Sequence, residues 1–308
     1  MNQKNEVPLY AQVVFAAAVW GAAYPFTKQL VAELSPVSII VFRGLVGSLA
    51  LLFLSRSAFR LSDLTTGNLL KLLVMSVLGV SGQQYVQAYA LKYTLSSHAG
   101  WLMASTPIIV AALMAWLGER ISPLKAAAFL LGFAGTLLVV FSRAGSGALS
   151  LPSTRGDLVF LSSCLAWAFY VICAKRWLTG WTQAKATTAT MLVALATTLP
   201  FWLASAGPAE FAAISGRAWL SLAYLSVLSS ALAYLFWNNA VEGLGPVKTS
   251  YFIYLEPFST LASAYLLLGE RTAPAAFAGG LLILAGVYLV GRREPARREN
   301  LKGATGHA

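Results

Sequence analysis

Long apolar runs separated by short polar segments dominate the pattern of hydrophobic and polar positions along this 308-residue chain. A membrane-spanning helix needs about 20 mostly apolar residues, and each run is close to that length. Ten such helices are predicted, at 9–30, 36–55, 69–91, 95–117, 123–142, 157–177, 186–205, 217–241, 247–268 and 274–291. The pattern therefore predicts an all-α integral membrane protein with ten transmembrane helices.

The pattern also repeats within the chain, at a distance of about 150 residues. The clearest repeated block is a proline within an apolar run that closes on Leu-Gly-Glu-Arg. It occurs as Thr106-Pro107 with Leu117-Gly118-Glu119-Arg120 and again as Glu256-Pro257 with Leu268-Gly269-Glu270-Arg271. A second matched pair is Trp20 with Lys28 against Trp167 with Lys175. The chain therefore reads as two copies of one five-helix unit.

An odd number of helices per copy has a topological consequence. The second copy must enter the membrane upside down relative to the first, which predicts two inverted-topology repeats with a central site between them. The predicted boundaries are 1–142 for the first repeat, 143–155 for a connecting loop, 156–292 for the second repeat and 293–308 for a basic cytoplasmic tail.

Composition and charge exclude a soluble protein and set the orientation. Apolar residues make up 58% of the chain, charged residues 11%, and the mean hydropathy is +0.69; a soluble domain carries about 25% charged residues. The net charge of +11 is spread over the whole length, so no nucleic-acid partner is expected. With a cytoplasmic N-terminus, fifteen Lys and Arg lie inside and six outside, which predicts that both termini are cytoplasmic.

The ordered set of motifs in both halves resembles the drug/metabolite transporter superfamily, in its EamA-type ten-helix branch. The resemblance rests on Trp20-Gly21 with Lys28, Phe42-Arg43, Ala90-Leu91-Lys92-Tyr93-Thr94 and the two proline blocks. It covers residues 10 to 292. It implies export of metabolites or amino acids across the bacterial inner membrane, and the chain is similar to amino-acid exporters first described for aromatic substrates.

Two ionisable residues are predicted at membrane depth, where a charge is costly unless it faces a cavity or a partner. Arg43 lies about seven residues into the second helix and can hold a substrate carboxylate. Its alternative role is to clamp backbone carbonyls or to reach the membrane interface. Glu256 is expected mid-helix in the ninth span, where it can bind a proton or a substrate ammonium group, or else cap the backbone loosened by Pro257.

Pro107 and Pro257 remove helix hydrogen bonds near mid-span, so we expect hinges, cavity walls or static bends there. Two polar stripes also lie on equivalent helices and are expected to face each other. The third helix carries Gln83, Gln84 and Gln87, of which Gln83 and Gln87 share a face. The eighth helix carries a row spaced four apart, namely Ser226, Ser230, Tyr234 and Asn238. Each stripe lines a cavity or a helix–helix contact.

His98 and Trp101 open the fourth helix on one face, near its outer end. The histidine can change charge between pH 5 and 8 or serve as a hydrogen-bonded structural residue. Together with Tyr24 and Tyr251, Trp101 can form an aromatic wall for apolar side chains or an ammonium group. Glu119 and Glu270 are expected to close loops and cap the helices that follow them.

Other classes of function are disfavoured by missing motifs. The chain has no phosphate-binding loop, no H-E-x-x-H and no paired acids, so no catalytic residue, metal site or cofactor is predicted. The predicted partners are a small-molecule substrate and membrane lipids, and glycines in the fifth and tenth helices suit a monomer or a homodimer. A multidrug exporter of the same fold is the main alternative, and a membrane enzyme on lipid-linked substrates is a weaker one.

Overall fold

The computed structural model describes residues 7–54, 60–63, 65–118, 123–142, 151–177, 180–244, 249 and 251–291. These residues are helical apart from their connections, and we number the helices α1–α10. They are α1 (Val7–Leu30), α2 (Pro36–Leu54), α3 (Thr66–Leu91), α4 (Ser96–Trp116), α5 (Pro123–Phe141), α6 (Leu151–Trp177), α7 (Gln183–Ser205), α8 (Gly216–Leu244), α9 (Glu256–Leu268) and α10 (Pro274–Gly291). They coincide with the predicted apolar segments to within a few residues at most boundaries.

Seven helices in the described part are long and apolar enough to cross a membrane, namely α1–α4 and α6–α8. Shorter apolar helices lie at Ala126–Phe141, Phe252–Leu268 and Pro274–Leu289. Large apolar side chains are widely exposed on the outside of the bundle, for example Phe53, Trp116 and Leu266 at 79% each. Such a surface is stable in contact with lipid and not in water.

Several of the helices are interrupted. α3 breaks at Val80 into Thr66–Gly79 and Ser81–Leu91, and α4 breaks after Met103 and resumes at Thr106. Pro107 is therefore the second residue of a new helical segment, where its missing N–H costs no hydrogen bond.

Glu256 was expected in the middle of the ninth span, and that position is wrong. A 3₁₀ turn, Tyr251–Leu255, precedes it, and Glu256 is the first residue of α9. Pro257 follows directly, at the start of the helix, where proline is tolerated. Both prolines thus mark the point where an α-helix begins after irregular backbone.

The contacts between helices have a matching pattern in the two halves. α1 packs against α8 and α9, and α6 correspondingly packs against α3 and α4. The same correspondence pairs α2 with α7 and α5 with α10. The helices α5 and α10 are in close contact, since a Cβ at Gly135 of α5 would lie only 2.8 Å from the backbone nitrogen of Ile283 of α10. Gly135 therefore serves a contact within the chain.

Candidate functional site

The guanidinium of Arg43, on α2, is held by two serine hydroxyls of α8. Its Nε donates to Ser230 Oγ at 3.1 Å and its Nη2 to Ser229 Oγ at 3.4 Å. Adjacent residues of an α-helix point about 100° apart, but these two lie in a π-helical stretch, Tyr224–Leu232, whose turn is wider. No carboxylate among the described residues forms a salt bridge with Arg43. A cation with spare donors therefore lies within an apolar helix of spanning length, beside neutral groups.

The carboxylate of Glu256 lies at the junction of α1 and α9. The residue is buried, and no side chain or backbone group in the described ranges gives its carboxylate a hydrogen bond or an ion pair. α1 approaches the backbone of Glu256 closely because Gly21 has no side chain: an ideal Cβ there would lie 2.9 Å from the Cα of Glu256. The helix start and its carboxylate are thus positioned by a backbone contact.

Two tyrosines interact with both of these charges. Tyr24, on α1, is buried and close enough to Glu256, Arg43 and Tyr234 to interact electrostatically with each of them. Tyr234, on α8, interacts in the same way with Arg43 and Glu256, and its ring packs at 5.0 Å against that of Trp20. Each of the two tyrosines is therefore linked electrostatically to both Arg43 and Glu256, which the sequence analysis named separately.

A small cavity lies next to Arg43. Its volume is about 10 Å³, close to the least that holds one water molecule and too small for an amino acid. Gln84 of α3, Ser230 of α8 and Thr198 of α7 contribute to its lining. Gln84 and Ser230 thus line the same cavity as residues of α2 and α7, whereas the predicted stripe residues Gln83 and Gln87 are not part of its lining.

The remaining residues of the two stripes make fewer contacts. Gln83 is buried, and Gln87 Nε2 lies 3.9 Å from the sulfur of Met103. Asn238 is buried as well, and neither its amide nitrogen nor its amide oxygen has a hydrogen-bond partner in the part of the chain that the structure describes. An unsatisfied buried amide is costly, so this position calls for an explanation.

Two predicted site residues of α4 lie in other surroundings. His98 is buried, and its Nδ1 is 3.0 Å from Asp157 Oδ2 at the start of α6. Trp101 packs its ring against Phe258 and Phe277, each at 5.9 Å, and a Cβ at Gly280 would collide with it. Tyr251 opens the 3₁₀ turn before α9, and its side chain lies outside the described part.

The expectation for the Gly-Glu-Arg motif changes as well. Glu270 does not cap the helix that follows it; it accepts hydrogen bonds from the backbone N–H groups of Ser96 and Ser97 at the start of α4. Its Oε1 also lies 2.8 Å from Lys28 Nζ. The counterpart residue Glu119, the side chain of Lys175, residues 143–150 and the tail fall outside the described residues.

Comparison with known proteins identifies the family. The model of the EamA-like transporter family matches this chain twice, over residues 9–141 and 154–292. The chain belongs to the EamA-like transporter family. An uncharacterized transporter of Archaeoglobus fulgidus is 28% identical over 94% of this chain and 98% of the relative. The relative YyaM, an uncharacterized transporter of Bacillus subtilis, is 24% identical over 91% and 92%.

A further relative carries a more specific name. The probable terminal-alkyne amino-acid exporter of Streptantibioticus cattleyicolor is 26% identical over 93% of this chain and 94% of its own length. A solved crystal structure that is 18% identical matches this EamA-like transporter with a TM-score of 0.59, over 90% of this chain and 94% of that one, and shares its fold. The protein is thus a multi-pass membrane transporter and not an enzyme, and its substrates are small molecules.

Sequence reasoning missed several polar residues of this EamA-like transporter. Ser229 was not selected because a regular four-residue spacing picks Ser230, whereas the π-helical stretch lets both serines reach Arg43. Gln84 was named among the polar residues of α3 but was not assigned to the face that lines the cavity. Asp157 could have been recognised from the sequence, because it is an acidic residue at the start of an apolar span, where a lone carboxylate needs a partner.

Proposed function

We propose that this protein is a secondary transporter that exports amino acids and similar small metabolites across the bacterial inner membrane by alternating access. One observation carries the proposal. A cation and an anion without ion-pair partners among the described residues, Arg43 and Glu256, both interact electrostatically with the same two tyrosines. Unpaired charges at membrane depth are retained for function, and this pair complements a zwitterion.

Arg43 is the proposed site for the substrate carboxylate. The bonds from Nε and Nη2 to Ser230 and Ser229 hold the guanidinium in place, and the remaining N–H donors can form a charge-assisted contact with a carboxylate. Tyr24, Gln83, Gln84, Gln87 and Asn238 are proposed to contribute polar contacts when the cavity opens. The unsatisfied amide of Asn238 supports this role, because a substrate group would supply the missing hydrogen bonds.

Glu256 is the proposed site for the substrate ammonium group or for a coupled proton. Its position at the first residue of α9, directly after irregular backbone, allows the carboxylate to move with that helix. Tyr24 and Tyr234 supply aromatic faces that suit an ammonium group. The two roles, ammonium binding and proton binding, predict different behaviour of the Glu256→Gln variant.

Alternating access follows from the small cavity and the repeats. A cavity of about 10 Å³ has to open for a substrate to enter. The matching packing of the two halves supports ten spans in two inverted repeats, with both termini cytoplasmic, that rock against each other. The helix starts at Pro107 and Pro257 are the proposed hinges. The name of the amino-acid exporter relative supports the substrate class.

Counterflow in proteoliposomes tests the function. Vesicles loaded with one unlabelled amino acid are given the labelled compound, and a panel of amino acids is compared. We expect exchange by the parent protein, and at least a tenfold loss of apparent affinity in Arg43→Gln. Arg217→Gln removes an exposed arginine at the start of α8 and is the matched control, expected within twofold of the parent. If the parent exchanges none of the panel, the substrate class is wrong.

The same preparation separates the two roles of Glu256. If the carboxylate carries a coupled proton, Glu256→Gln keeps counterflow but no longer accumulates substrate when a pH gradient is imposed. If it binds the ammonium group, the variant loses affinity for amino acids and no longer prefers them to their N-acetyl derivatives. A variant equal to the parent in both measurements would remove Glu256 from the mechanism.

A lipophilic cation is the second candidate substrate, because Glu256 with Tyr24 and Tyr234 forms an anionic, aromatic surrounding. Arg43 opposes such a substrate by its like charge. Export of a tetraphenylphosphonium probe that increases in Arg43→Gln, with no amino-acid exchange by the parent, would favour this alternative.

A further inference from the structure

A buried polar network joins several helices at one end of the bundle, which we call the Lys28 end, and the proposed substrate contacts do not use it. Its first arm is an ion pair. Lys28 Nζ, at the end of α1, lies 2.8 Å from Glu270 Oε1 and donates to the carbonyl oxygen of Thr94 at 2.7 Å. The Glu270 side chain is 6% exposed and also accepts the N–H groups of Ser96 and Ser97, at 3.2 and 3.1 Å.

The second arm starts from the same loop. Thr94 donates its hydroxyl to Asp157 Oδ1, and Asp157 Oδ2 lies 3.0 Å from His98 Nδ1. The other ring nitrogen of His98 is 3.4 Å from Ser142 Oγ, at the end of α5. Asp157 and His98 are buried almost completely. The two arms therefore form one continuous network through the loop that holds Thr94.

The charged contacts in this network cross from one repeat to the other. Lys28, Thr94 and His98 belong to the first half of the chain, and Asp157 and Glu270 to the second. A buried charge that loses its partner is strongly destabilising, whereas a charge that reaches water is not. Both arms cross between the halves, so separation of the halves at this end breaks both of them, and each charge that loses its partner is unfavourable until water reaches it.

The opposite end offers a direct comparison. Lys185, at the start of α7, pairs with Asp63, which follows α2, at 2.9 Å, so this contact also crosses between the halves. Its side chains are 19% and 22% exposed, and Trp181 covers the ammonium group. At the Lys28 end the Lys28 side chain is 26% exposed, but Glu270 is 6% exposed and His98 and Asp157 at most 1%. A partly exposed pair contributes little, so the difference between the two ends lies in the buried carboxylates of Glu270 and Asp157.

We propose that Lys28–Glu270, together with Thr94, Asp157 and His98, forms the gate that keeps the Lys28 end closed in the transport cycle. These residues act on the equilibrium between conformations and do not touch the substrate. The inference rests on the proposed alternating access. In the orientation proposed above, this gate faces the outside of the cell.

Ser97 provides a reporter for opening. Its side chain is 1% exposed, and its hydroxyl has no hydrogen-bond partner in the described part, so Ser97→Cys is a conservative change. Its backbone N–H still binds Glu270. The native cysteines are first removed by Cys164→Ala and Cys173→Ala. A polar maleimide then labels Ser97→Cys in lipid nanodiscs, and the labelling rate measures how readily water reaches the Lys28 end. No substrate is needed for this measurement.

We expect Glu270→Gln, Lys28→Met and Asp157→Asn each to raise the labelling rate at least tenfold, and Lys28→Arg to leave it within twofold. The double variant Lys28→Met/Glu270→Gln should label about as fast as either single variant, because the two residues act through one contact. Lys185→Met, which breaks the pair at the opposite end, is the matched control and should not raise the rate.

Unfolding is distinguished by a second reporter. Cys173 is half-buried on α6, 16 positions beyond Asp157 and towards the opposite end. In a second set of proteins, Cys173 is kept as the single cysteine and Ser97 is unchanged. Cys173 should then be labelled at the parent rate in the gate variants, whereas general loosening of the fold would accelerate the labelling of both reporters. Folded Glu270→Gln and Lys28→Met proteins that label Ser97→Cys at the parent rate would overturn the gate. Absence of amino-acid exchange would overturn only the proposed substrate.

Discussion

Substitution of Gly21 tests whether the backbone contact between α1 and α9 positions Glu256. An ideal Cβ at residue 21 would lie 2.9 Å from both the Cα of Glu256 and the Cβ of Ser259, and nearer still to the carbonyl oxygen of Glu256. Ordinary contact begins at 3.4 Å. Because the opposing atoms include backbone, no single side chain can turn aside, and Gly21→Ala must displace the start of α9 relative to α1.

The expected magnitude follows from two opposing effects. Overpacking of a close contact costs about 1–3 kcal/mol, and replacement of glycine by alanine within a helix returns about 0.5–1 kcal/mol. The net loss for Gly21→Ala is therefore about 0–2.5 kcal/mol, and at about 2–4 °C per kcal/mol for a large domain it lowers the Tm by up to about 10 °C. Gly67 of α3 has nothing within 4 Å of an ideal Cβ, so Gly67→Ala should leave the Tm unchanged or raise it.

The assay combines thermal unfolding with counterflow. Both variants are purified in one detergent, their Tm values are compared with that of the parent, and the half-saturating amino-acid concentration is measured in proteoliposomes. We expect Gly21→Ala to unfold earlier and to require several-fold more substrate, because the displaced helix carries the Glu256 carboxylate. If Gly21→Ala matches Gly67→Ala in Tm and the parent in affinity, the contact does not position the site.

Two further measurements test other positions. Burial raises the pKa of Glu270, but Lys28 and the hydrogen bonds from the start of α4 lower it by more. The pKa of Glu270 therefore lies below its ordinary value near 4.5. The carboxylate therefore contributes stability above that value, and this contribution is lost as the pH falls through the lowered pKa; the Tm of the parent should fall in acid more steeply than that of Glu270→Gln, and parallel curves would contradict this. Asn238→Leu removes an unsatisfied buried amide, so it should raise the Tm by an amount corresponding to about 1–3 kcal/mol. The same variant should exchange amino acids less well. A less stable variant with normal exchange would count against a substrate-binding role of Asn238.

The sequence determined the secondary structure and the class of the protein. Apolar runs of spanning length and a scarcity of charge leave no soluble alternative, because a backbone in lipid must satisfy its own hydrogen bonds and does so as a helix. Most helices lie where the runs predicted them, whereas the helix starts at Thr106 and Glu256 fall inside spans that were predicted to be continuous. Arg43 and Glu256 were also recognisable, because a charge within an apolar run is conspicuous in sequence.

The tertiary structure alone decided which polar groups meet. Spacing along a regular helix pointed to Gln83 and Ser230. The π-helical stretch lets Ser229 also reach Arg43, and the packing of α3 against its neighbours places Gln84 at the cavity.

Partners far apart in sequence were also beyond prediction. Lys28 with Glu270, and His98 with Asp157, are separated by 242 and 59 positions. Local periodicity reports the direction in which a side chain points relative to its own helix axis. Which group lies opposite depends on how the helices pack, and only the folded arrangement of both repeats determines that.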